Sequence, residues 1–440
     1  MHALLFLFSL MTLPILALRT SAIYAFVLYQ FVYFLSPGTR WWSYQIPDLR
    51  YALLTSLFII FMFFITKKEE KNPTPLLSSP HLKWMYALGA IYGLTYFYAE
   101  IPSFHSVAFI DMFKSIVVIS FVFKLCSKPQ HVDLMIKGYV AGATYLSFYT
   151  YQIGRNAGDR VEGVGTVDAP DANDVAALLA PALLMAGYFF YRSKTIRDRA
   201  IWLVCSGLIA NALILINSRG AFLGVIVAVI FVGYKLISTK IYRSKHIRKV
   251  IAIGSFAIIG MLSILDQAAM ERFFSISEET EMSQSKSKES GSTRIQFWLA
   301  AIDMSIDYPL GKGAYGFNAY SRYYISEDVD TGGAQHKTVH STWFEALTEI
   351  GYLGLFILLG LVYTIYYSLS RVRKMAIFKR NEELFMLAVF SQSAILSWLV
   401  SISFINRLRA EAFMWLVLIS ACIYNVYYIL EKNYNDADPK

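Results

Sequence analysis

Long apolar runs separated by short polar loops repeat along most of this chain. Most runs are about 16 to 22 residues long, and about 20 helical residues are needed to cross the hydrocarbon core of a bilayer. The runs fall at 3–18, 21–36, 51–66, 83–99, 104–126, 133–151, 173–191, 200–216, 220–237, 250–265, 343–369, 384–404 and 412–430. This pattern predicts an all-α polytopic membrane protein with about 12 or 13 transmembrane helices.

Positive charge is concentrated in four of the loops between these runs. Cytoplasmic loops of membrane proteins carry an excess of lysine and arginine, so these four loops are predicted to face the cytoplasm. The basic residues concerned are Lys67, Lys68 and Lys71; Arg192, Lys194, Arg197 and Arg199; Lys240, Arg243, Lys245, Arg248 and Lys249; and Arg371, Arg373, Lys374, Lys379 and Arg380. All four loops agree with one alternation of spans, which places 152–172, 217–219 and 266–342 on the outer side.

This alternation divides the chain into four regions. An N-terminal transmembrane region, 1–151, is followed by a central transmembrane region, 152–265. A long outward-facing segment, 266–342, then precedes a C-terminal transmembrane region, 343–440. The long segment contains more acidic than basic residues, the opposite of the bias in the cytoplasmic loops, which supports its placement outside.

Composition agrees with a membrane protein and excludes some partners. Hydrophobic residues make up 56% of the chain and charged residues 16%, where soluble domains contain about a quarter charged residues. The net charge of +9 is dispersed among short loops and forms no nucleic-acid motif, so we predict no nucleic-acid partner. Cys126, Cys205 and Cys422 lie in or beside apolar runs without ligand spacing, so neither a metal site nor a disulfide is assigned to them.

The long outward-facing segment is not uniform. Its part 275–293 is polar, charged and free of aromatic residues, which is typical of a mobile loop. The pattern of 294–306, RIQFWLAAIDMSI, predicts an amphipathic helix on the membrane surface, which Pro309 ends. A G-x-G-x-x-G spacing follows at 311–316, but no strand precedes it, so a dinucleotide site is excluded. We predict instead a tight turn whose backbone approaches a ligand or the membrane.

Two histidines stand where this segment meets the next apolar run, in QHKTVHSTWFEALTEIGYLGLFI at 335–357. Histidine titrates near neutral pH, so an imidazole at a membrane–water boundary can take a proton from a hydroxyl and later release it. We predict that His340 is a catalytic base, with His336 beside it at the substrate site; a structural interfacial histidine is the alternative. A metal site is disfavoured, because Lys337 replaces the glutamate of H-E-x-x-H and no third ligand is evident.

Arginines on the predicted outer side support the interpretation of His340 as a catalytic base. Arg219, in NSRGAFLG, stands at the outer end of one span and in the first turn of the next. Its guanidinium, the backbone N–H groups and the positive end of the helix dipole together suit a phosphate. Arg294 opens the amphipathic helix, and Arg155 and Arg160 are weaker candidates. Each could singly be an ordinary surface or snorkelling arginine, but as a set they would stabilise a pyrophosphate leaving group.

Other polar and aromatic residues flank these candidates. Asn173 and its acidic neighbours are predicted to cap the span that begins there and to lie beside the site. Glu345 and Glu349 follow His340 on one helix, where one of them would orient the imidazole or pair with an arginine; capping and outer-leaflet solvation are equally good accounts. Tyr315 could stack on a sugar, although an interfacial aromatic belt gives the same pattern.

Five segments carry a resemblance to a known family. They are MHALLFLFSLMTLPILALRTSAIYAFVLYQFVYFLSPGTRWW at the N-terminus, DANDVAALLAPALLM at 171–185, NSRGAFLG at 217–224, STRIQFWLAAIDMSIDYPLGKGAYGFNAY at 292–320 and HSTWFEALTEIGYLGLFILL at 340–359. In this order and spacing they resemble the O-antigen ligase and O-antigen polymerase superfamily of bacterial envelope enzymes. More narrowly, the chain resembles the O-glycosylation ligases that accompany exosortase systems.

The resemblance implies a GT-C-type fold and a metal-independent inverting glycosyltransferase without a cofactor, in the bacterial inner membrane, with its active site facing the periplasm. Its donor would be a glycan on undecaprenyl pyrophosphate, its acceptor a hydroxyl of lipid A–core, a protein or another glycan, and membrane lipids would surround it. His340 matches the family's essential histidine, and Arg219 and Arg294 match its pyrophosphate-facing arginines. Many relatives have asparagine after the histidine; Ser341 stands there in this chain, can still hydrogen-bond, and is predicted to take part in substrate binding.

Two other functions stay open at this point. A polymerase would extend the lipid-linked glycan itself, and the family's signatures do not separate polymerases from ligases, although the N-terminal match favours a ligase. A transporter of lipid-linked sugars should show paired repeats and broken helices with charges near the middle of the membrane. No internal repeat is evident, and the polar candidates gather at the outer face, so transport is the more remote alternative.

Overall fold

The computed structural model describes residues 1–158, 160–240, 291–326, 329 and 336–432. Within these ranges the chain is helical and contains no strand. The described α-helices are α1 His2–Arg19, α2 Ile23–Leu35, α3 Tyr51–Ile65, α4 Pro80–Thr95, α5 Pro102–Leu125, α6 Pro129–Ile153, α7 Ala172–Arg192, α8 Ile196–Ile216, α9 Arg219–Ser238, α10 Gly291–Asp307, α11 Gly316–Tyr324, α12 Thr342–Phe378, α13 Glu382–Ile402 and α14 Glu411–Tyr424. The predicted span 250–265 and the predicted mobile loop 275–293 lie outside the described residues.

Eight of the described helices are long and apolar enough to cross a membrane, by length and composition. They are α1, α5, α7, α8, α9, α12, α13 and Glu411–Lys432, in which the π-helical turn Asn425–Ile429 continues α14. The prediction of an all-α polytopic membrane protein is therefore confirmed. Four further helices coincide with predicted spans but fall short of these criteria: α2, α3 and α4 have 13, 15 and 16 residues, and α6 is rich in tyrosine, serine and threonine.

Contacts between loops define one end of the helix bundle. Arg192 bonds the Asp133 carboxylate and lies 2.6 Å from Glu383, which joins the end of α7 to the starts of α6 and α13. The Asn72 N–H donates to the Lys124 carbonyl (2.8 Å), which brings the loop after α3 to the end of α5. We call this the basic end, since three of the four basic loops are found there. The fourth basic loop lies mostly outside the described residues.

The opposite end, called here the His340 end, gathers loops that the sequence places outside. The Arg40 side chain donates to the Gly165 carbonyl (3.0 Å), which ties the loop after α2 to the loop after α6. The Val161 N–H donates to the Leu215 carbonyl (3.0 Å), so the same loop also reaches the end of α8. The described basic loops and the predicted outer loops thus separate to opposite ends, as one alternation of spans requires.

The centre of the bundle is formed by α13 and α14. In each of these two spans 78% of the membrane-length stretch is buried, against 28% in α8 and in α9. Trp415 of α14 packs against Phe26, Phe34 and Tyr139 from two neighbouring helices, with ring centroids 5.9 to 6.1 Å apart. A helix that is apolar on every side can be buried on every side, which explains why the last predicted spans occupy the core.

A helix is present where one was predicted over 294–306, as α10, and it has two apolar faces. One face packs against α11 and the stretch before α12, through Phe297, Ala300, Ala301 and Met304. The other face exposes an aliphatic stripe at i, i+4, i+7 and i+11, formed by Ile295, Leu299, Ile302 and Ile306. Together with α11, this helix forms a small second core on the His340 end, separate from the main core of the spans.

Candidate functional site

His340 lies on the short non-helical stretch that leads into α12. Its backbone φ is +49°, in the left-handed region that residues other than glycine rarely adopt. Its Nε2 atom lies 2.8 Å from the Thr338 hydroxyl, and its ring stacks over Phe297 of α10 with 6.4 Å between centroids. The side chain remains partly exposed. The predicted catalytic histidine is thus held in an uncommon conformation at the junction of α10 and α12.

His336 does not share a helix face with His340, because residues 336–341 are not helical. It is exposed, and its Nδ1 atom lies 2.9 Å from the Asn318 carbonyl of α11. The i, i+4 alignment that a two-histidine metal site would use therefore does not form. Over the described ranges, no three His, Cys, Asp or Glu side chains are placed to hold a metal ion together.

Arg219 begins α9 at the His340 end. The preceding turn reverses the chain through Asn217, whose φ is +56°, and Ser218 is the N-cap residue. A Cβ placed on the next residue, Gly220, would lie only 3.2 Å from the ring of Phe404, so α9 starts in close contact with the loop after α13. The first turn of α9 therefore offers the predicted guanidinium and helix N-terminus beside Phe404.

Arg294 reaches the same place through α10. It lies one turn before Trp298, whose ring centroid is 6.3 Å from that of Phe404. Trp298 also donates from Nε1 to the carbonyl of Val339, the residue before His340 (3.1 Å). The elements that carry the three predicted catalytic residues therefore meet around Phe404 and Trp298. In the sequence Arg219 lies 75 positions before Arg294, and Arg294 lies 46 positions before His340.

The weaker predicted arginines lie on the loop after α6. Arg155 is exposed, whereas Arg160 is largely buried and forms an ion pair with Glu162 at 2.8 Å. Asn173, in the first turn of α7, donates from Nδ2 to Asp171 (2.8 Å). Asp171 is the N-cap residue of α7, and Asp174, the third helical residue, completes a capping box with it. The predicted cap is therefore confirmed.

Glu345 and Glu349 are buried and pair with an arginine that the sequence analysis did not select. The Arg409 guanidinium bonds the Glu349 carboxylate and lies 3.4 Å from Glu345. It also donates to the Tyr92 hydroxyl (2.6 Å), which in turn bonds Glu349. The Tyr315 ring lies 5.3 Å from the same guanidinium, and the Tyr315 N–H donates to Glu349 (2.9 Å). Tyr315 is 43% exposed, so its ring remains accessible while it packs on the Arg409 and Glu349 pair.

A second arginine, Arg407, stands two residues earlier on the loop between α13 and α14, residues 403–410, and is buried. Its side chain donates to Asp168 (2.8 Å) and lies 3.7 Å from Asp174. Tyr33 donates to the same Asp168 carboxylate (2.7 Å). Arg407 therefore anchors the 403–410 loop to the start of α7, close to Asn173.

The sequence analysis missed this loop, although its signal was present. The segment NRLRAE at 406–411 lies between two apolar runs on the predicted outer side, and it meets the same criterion of a charge at a span terminus that selected Arg219. Ser341, predicted to take part in substrate binding, also contacts the loop: its N–H donates to Asn406 Oδ1 at 2.9 Å. Ser341 is the N-cap residue of α12 and is itself buried.

Both arginines of the loop are cations under physiological conditions. Burial alone would lower the pKa of the Arg407 guanidinium, but the Asp168 and Asp174 carboxylates raise it above its ordinary value. Burial opposes the charge of Arg409 in the same way, and Glu349 and other neighbours hold its pKa well above the ordinary value. These charges are paired with carboxylates of the protein itself, so removing either arginine would leave a carboxylate without its counter-ion.

The glycine-rich turn packs on a break in α12. At Gly351 the helix has φ +68° and ψ −169°, so its backbone leaves the helical conformation. Gly311 has φ +79°, and a Cβ there would lie 2.5 Å from the Glu349 carbonyl. Because the break interrupts the helical hydrogen bonds of α12, backbone groups of this helix bond the turn instead. The Lys312 N–H donates to the Thr348 carbonyl (2.9 Å). The predicted close approach therefore exists, but its partner is the backbone of α12 rather than a ligand or the membrane.

Comparison with known proteins finds one family model that matches part of the chain. A family model described as O-antigen ligase matches residues 176–359, a range that includes Arg219, Arg294 and His340 and ends before the 403–410 loop. No curated protein matches the chain. The family implies a glycosyltransferase-like enzyme that uses a lipid-linked glycan and an acceptor in a membrane. Residues 176–359 therefore carry an O-antigen ligase domain, which supports membership of the O-antigen ligase superfamily.

Proposed function

We propose that this protein is an inner-membrane O-antigen ligase-like glycosyltransferase. It moves a glycan from undecaprenyl pyrophosphate to an acceptor hydroxyl at the periplasmic face, without a metal ion and with inversion at the anomeric carbon. The observation that carries the proposal is the meeting of α9, α10 and the stretch before α12 around Phe404 and Trp298. This arrangement gathers two arginines and one histidine from distant parts of the chain at one end of the bundle.

The arginines suit the leaving group. During transfer the bond between the anomeric carbon and the pyrophosphate oxygen breaks, and negative charge grows on that oxygen. Guanidinium groups and helix N-terminal N–H groups stabilise such charge where water is excluded. Arg219 at the first turn of α9 combines both kinds of donor, and Arg294 approaches from α10. The prenyl tail would lie along the apolar sides of the spans.

The imidazole suits the acceptor. As the acceptor oxygen bonds to the anomeric carbon, its proton passes to His340, and undecaprenyl pyrophosphate leaves with the electron pair of the broken bond. The Thr338 hydroxyl beside Nε2 and the Phe297 ring hold the imidazole in place. A base needs such a fixed direction, because a proton is transferred only over hydrogen-bond distance.

The proposal is tested with purified protein, a native undecaprenyl-pyrophosphate-linked glycan and candidate acceptors, with products identified by mass. We expect His340→Ala to lower the transfer rate by about 100-fold or more, since a positioned general base contributes roughly 10²- to 10⁴-fold. Arg219→Ala and Arg294→Ala should each lower it by about 100-fold as well, the size of effect that loss of one transition-state donor produces. Arg322→Ala, at an exposed arginine of α11, is the matched control and should retain activity.

The same assay separates the alternatives. Full activity of His340→Ala would overturn the assignment of the base, and loss of transfer on addition of EDTA would overturn metal independence. A product whose mass adds the glycan to a separate acceptor identifies a ligase, whereas a longer lipid-linked glycan identifies a polymerase. Movement of the donor across a vesicle membrane without a new glycosidic bond would instead establish transport.

A further inference from the structure

We propose that Asn406, on the 403–410 loop, is a positioning residue that acts together with Trp298. The two side chains hold the peptide planes on either side of His340 and so fix the backbone conformation that presents the imidazole. This inference rests on the proposed role of His340 as the base. It adds the groups that keep the base in place, one of which lies outside the residues matched by the family model.

Each peptide plane flanking His340 is bonded to a different element. On the N-terminal side, Trp298 Nε1 donates to the Val339 carbonyl at 3.1 Å. On the C-terminal side, the Ser341 N–H donates to Asn406 Oδ1 at 2.9 Å. The angles φ and ψ of a residue are the two rotations between its flanking peptide planes. Fixing both planes from outside therefore fixes the backbone of His340.

The conformation that is fixed is one that the chain would not keep unaided. His340 has φ +49°, and a left-handed residue with a Cβ persists only where its surroundings determine it. The direction of the imidazole follows from this backbone, because the Cα–Cβ bond leaves the chain at an angle set by the two planes. A relaxed His340 would turn its ring away from Thr338 and from Phe297 of α10.

Asn406 is placed for this task rather than for ordinary helix capping. A capping side chain bonds the N–H of the second or third residue of a helix. Asn406 bonds instead the N–H of Ser341, the N-cap residue itself, which belongs to the peptide that starts at His340. Asn406 therefore holds the peptide plane next to His340 rather than capping the first turn of α12.

The 403–410 loop is itself held rigidly, so Asn406 can transmit position. The Thr342 hydroxyl donates to the Ile405 carbonyl (2.8 Å) and accepts from the Arg407 N–H (2.9 Å), on both sides of Asn406. The Arg407 side chain is bonded to Asp168 at the start of α7. A loop fixed on both sides of one residue holds that residue's amide at a defined place.

The kinetic test compares Asn406→Ala, Asn406→Asp and Asn425→Ala at saturating acceptor. We expect Asn406→Ala to lower kcat by about 10- to 100-fold, the effect of a misplacement near 1 Å, with the donor KM changed by less than about threefold. Asn406→Asp keeps an acceptor oxygen for the Ser341 N–H and should recover most of kcat. Asn425 is a buried asparagine that donates to Asn72 (3.0 Å) at the basic end, so Asn425→Ala is the matched control and should retain kcat.

A structural readout does not depend on activity. Val339–His340 is the only Val–His pair in the sequence, so protein made with ¹³C-carbonyl valine and ¹⁵N-histidine gives a single linked amide signal, that of His340. We expect this signal to shift in Asn406→Ala and to stay in place in Asn425→Ala. Trp298→Phe removes the other hydrogen bond and keeps an aromatic ring; it should shift the signal and lower kcat as well, which provides a second variant should Asn406→Ala fold poorly.

The two measurements separate this inference from the proposed function. Transfer by the wild type together with an unchanged kcat or an unchanged amide signal in Asn406→Ala would overturn the positioning role and leave the function intact. Absence of transfer by the wild type would overturn the function. In that event the amide signal still decides whether Asn406 holds the backbone of His340, and an unshifted signal would refute it.

Discussion

At the scale of single residues, the charged residues of the candidate site fall into two groups, for which we predict different effects of substitution. Arg407 is buried, Arg409 is largely buried, and both are paired with carboxylates that the protein itself supplies. Arg219 and Arg294 stand in the first turns of α9 and α10, the helices proposed to carry the pyrophosphate site. Removing one member of a buried pair leaves the other charge without compensation, so the first group should affect stability and the second group activity.

Arg409→Met should destabilise the protein by about 3–5 kcal/mol, because it leaves Glu345 and Glu349 buried without a counter-ion. Thermal unfolding in detergent, followed by tryptophan fluorescence, measures the loss. Adding Glu345→Gln and Glu349→Gln to the same chain keeps acceptor oxygens for Tyr92 and Tyr315 and removes the uncompensated charge. Most of the loss should then be recovered, and a single variant as stable as the wild type would contradict the assignment.

At the scale of elements, the break in α12 joins the membrane bundle to the surface helices. The helix leaves its regular path at Gly351, and the turn at 309–313 occupies the space. Here the Tyr352 N–H donates to the Pro309 carbonyl (3.1 Å) rather than to the preceding turn of α12. The position of α10 and α11 on the bundle therefore depends on a backbone conformation that only glycine adopts easily.

Gly351→Ala should cost about 1–3 kcal/mol for the backbone strain alone. The cost should be higher in practice, because a Cβ at this position would lie 2.3 Å from the Pro309 carbonyl oxygen. Gly207→Ala is the matched control: it lies within α8, a Cβ there would meet nothing within 4 Å, and alanine is the better helix former. Unfolding midpoints of the two variants measure the difference, and equal midpoints would refute the packing described here.

At the scale of the whole molecule, the loops separate into a basic end and a His340 end. The basic end carries ion pairs around Arg192, and the His340 end carries the candidate site. A site for a periplasmic transferase must be reachable from outside the cytoplasm. The positive-inside rule predicts that the basic end faces the cytoplasm and the His340 end faces outward. An exposed residue at each end allows this orientation to be measured.

A pair of cysteine substitutions tests the orientation in a Cys205→Ala background. Val167 at the His340 end is 78% exposed and Ile196 at the basic end is 84% exposed, so both sites are open to reagent. Val167→Cys should react with a membrane-impermeant maleimide in intact spheroplasts, and Ile196→Cys only after permeabilisation. The reverse result would place the candidate site in the cytoplasm and contradict the proposed reaction.

The sequence by itself determined the features that depend on local pattern. Runs of apolar residues gave the all-α polytopic fold, because a helix is the means by which a single segment satisfies its backbone in lipid. Capping of α7 at Asp171 and the helix over 294–306 also followed from neighbouring residues. His340 stood out because histidine titrates near neutral pH and this one lies where the long outward-facing segment meets a span.

The tertiary structure alone decided which distant residues meet. Arg409 between Glu345 and Glu349, and Asn406 on the N–H of Ser341, depend on how α12, α13 and α14 pack, and no periodicity encodes such partners. The left-handed conformation of His340 and the break at Gly351 are likewise imposed from outside the local segment. Local patterns specify what each segment can form, whereas contacts between segments specify where charges are paired and where a base is held.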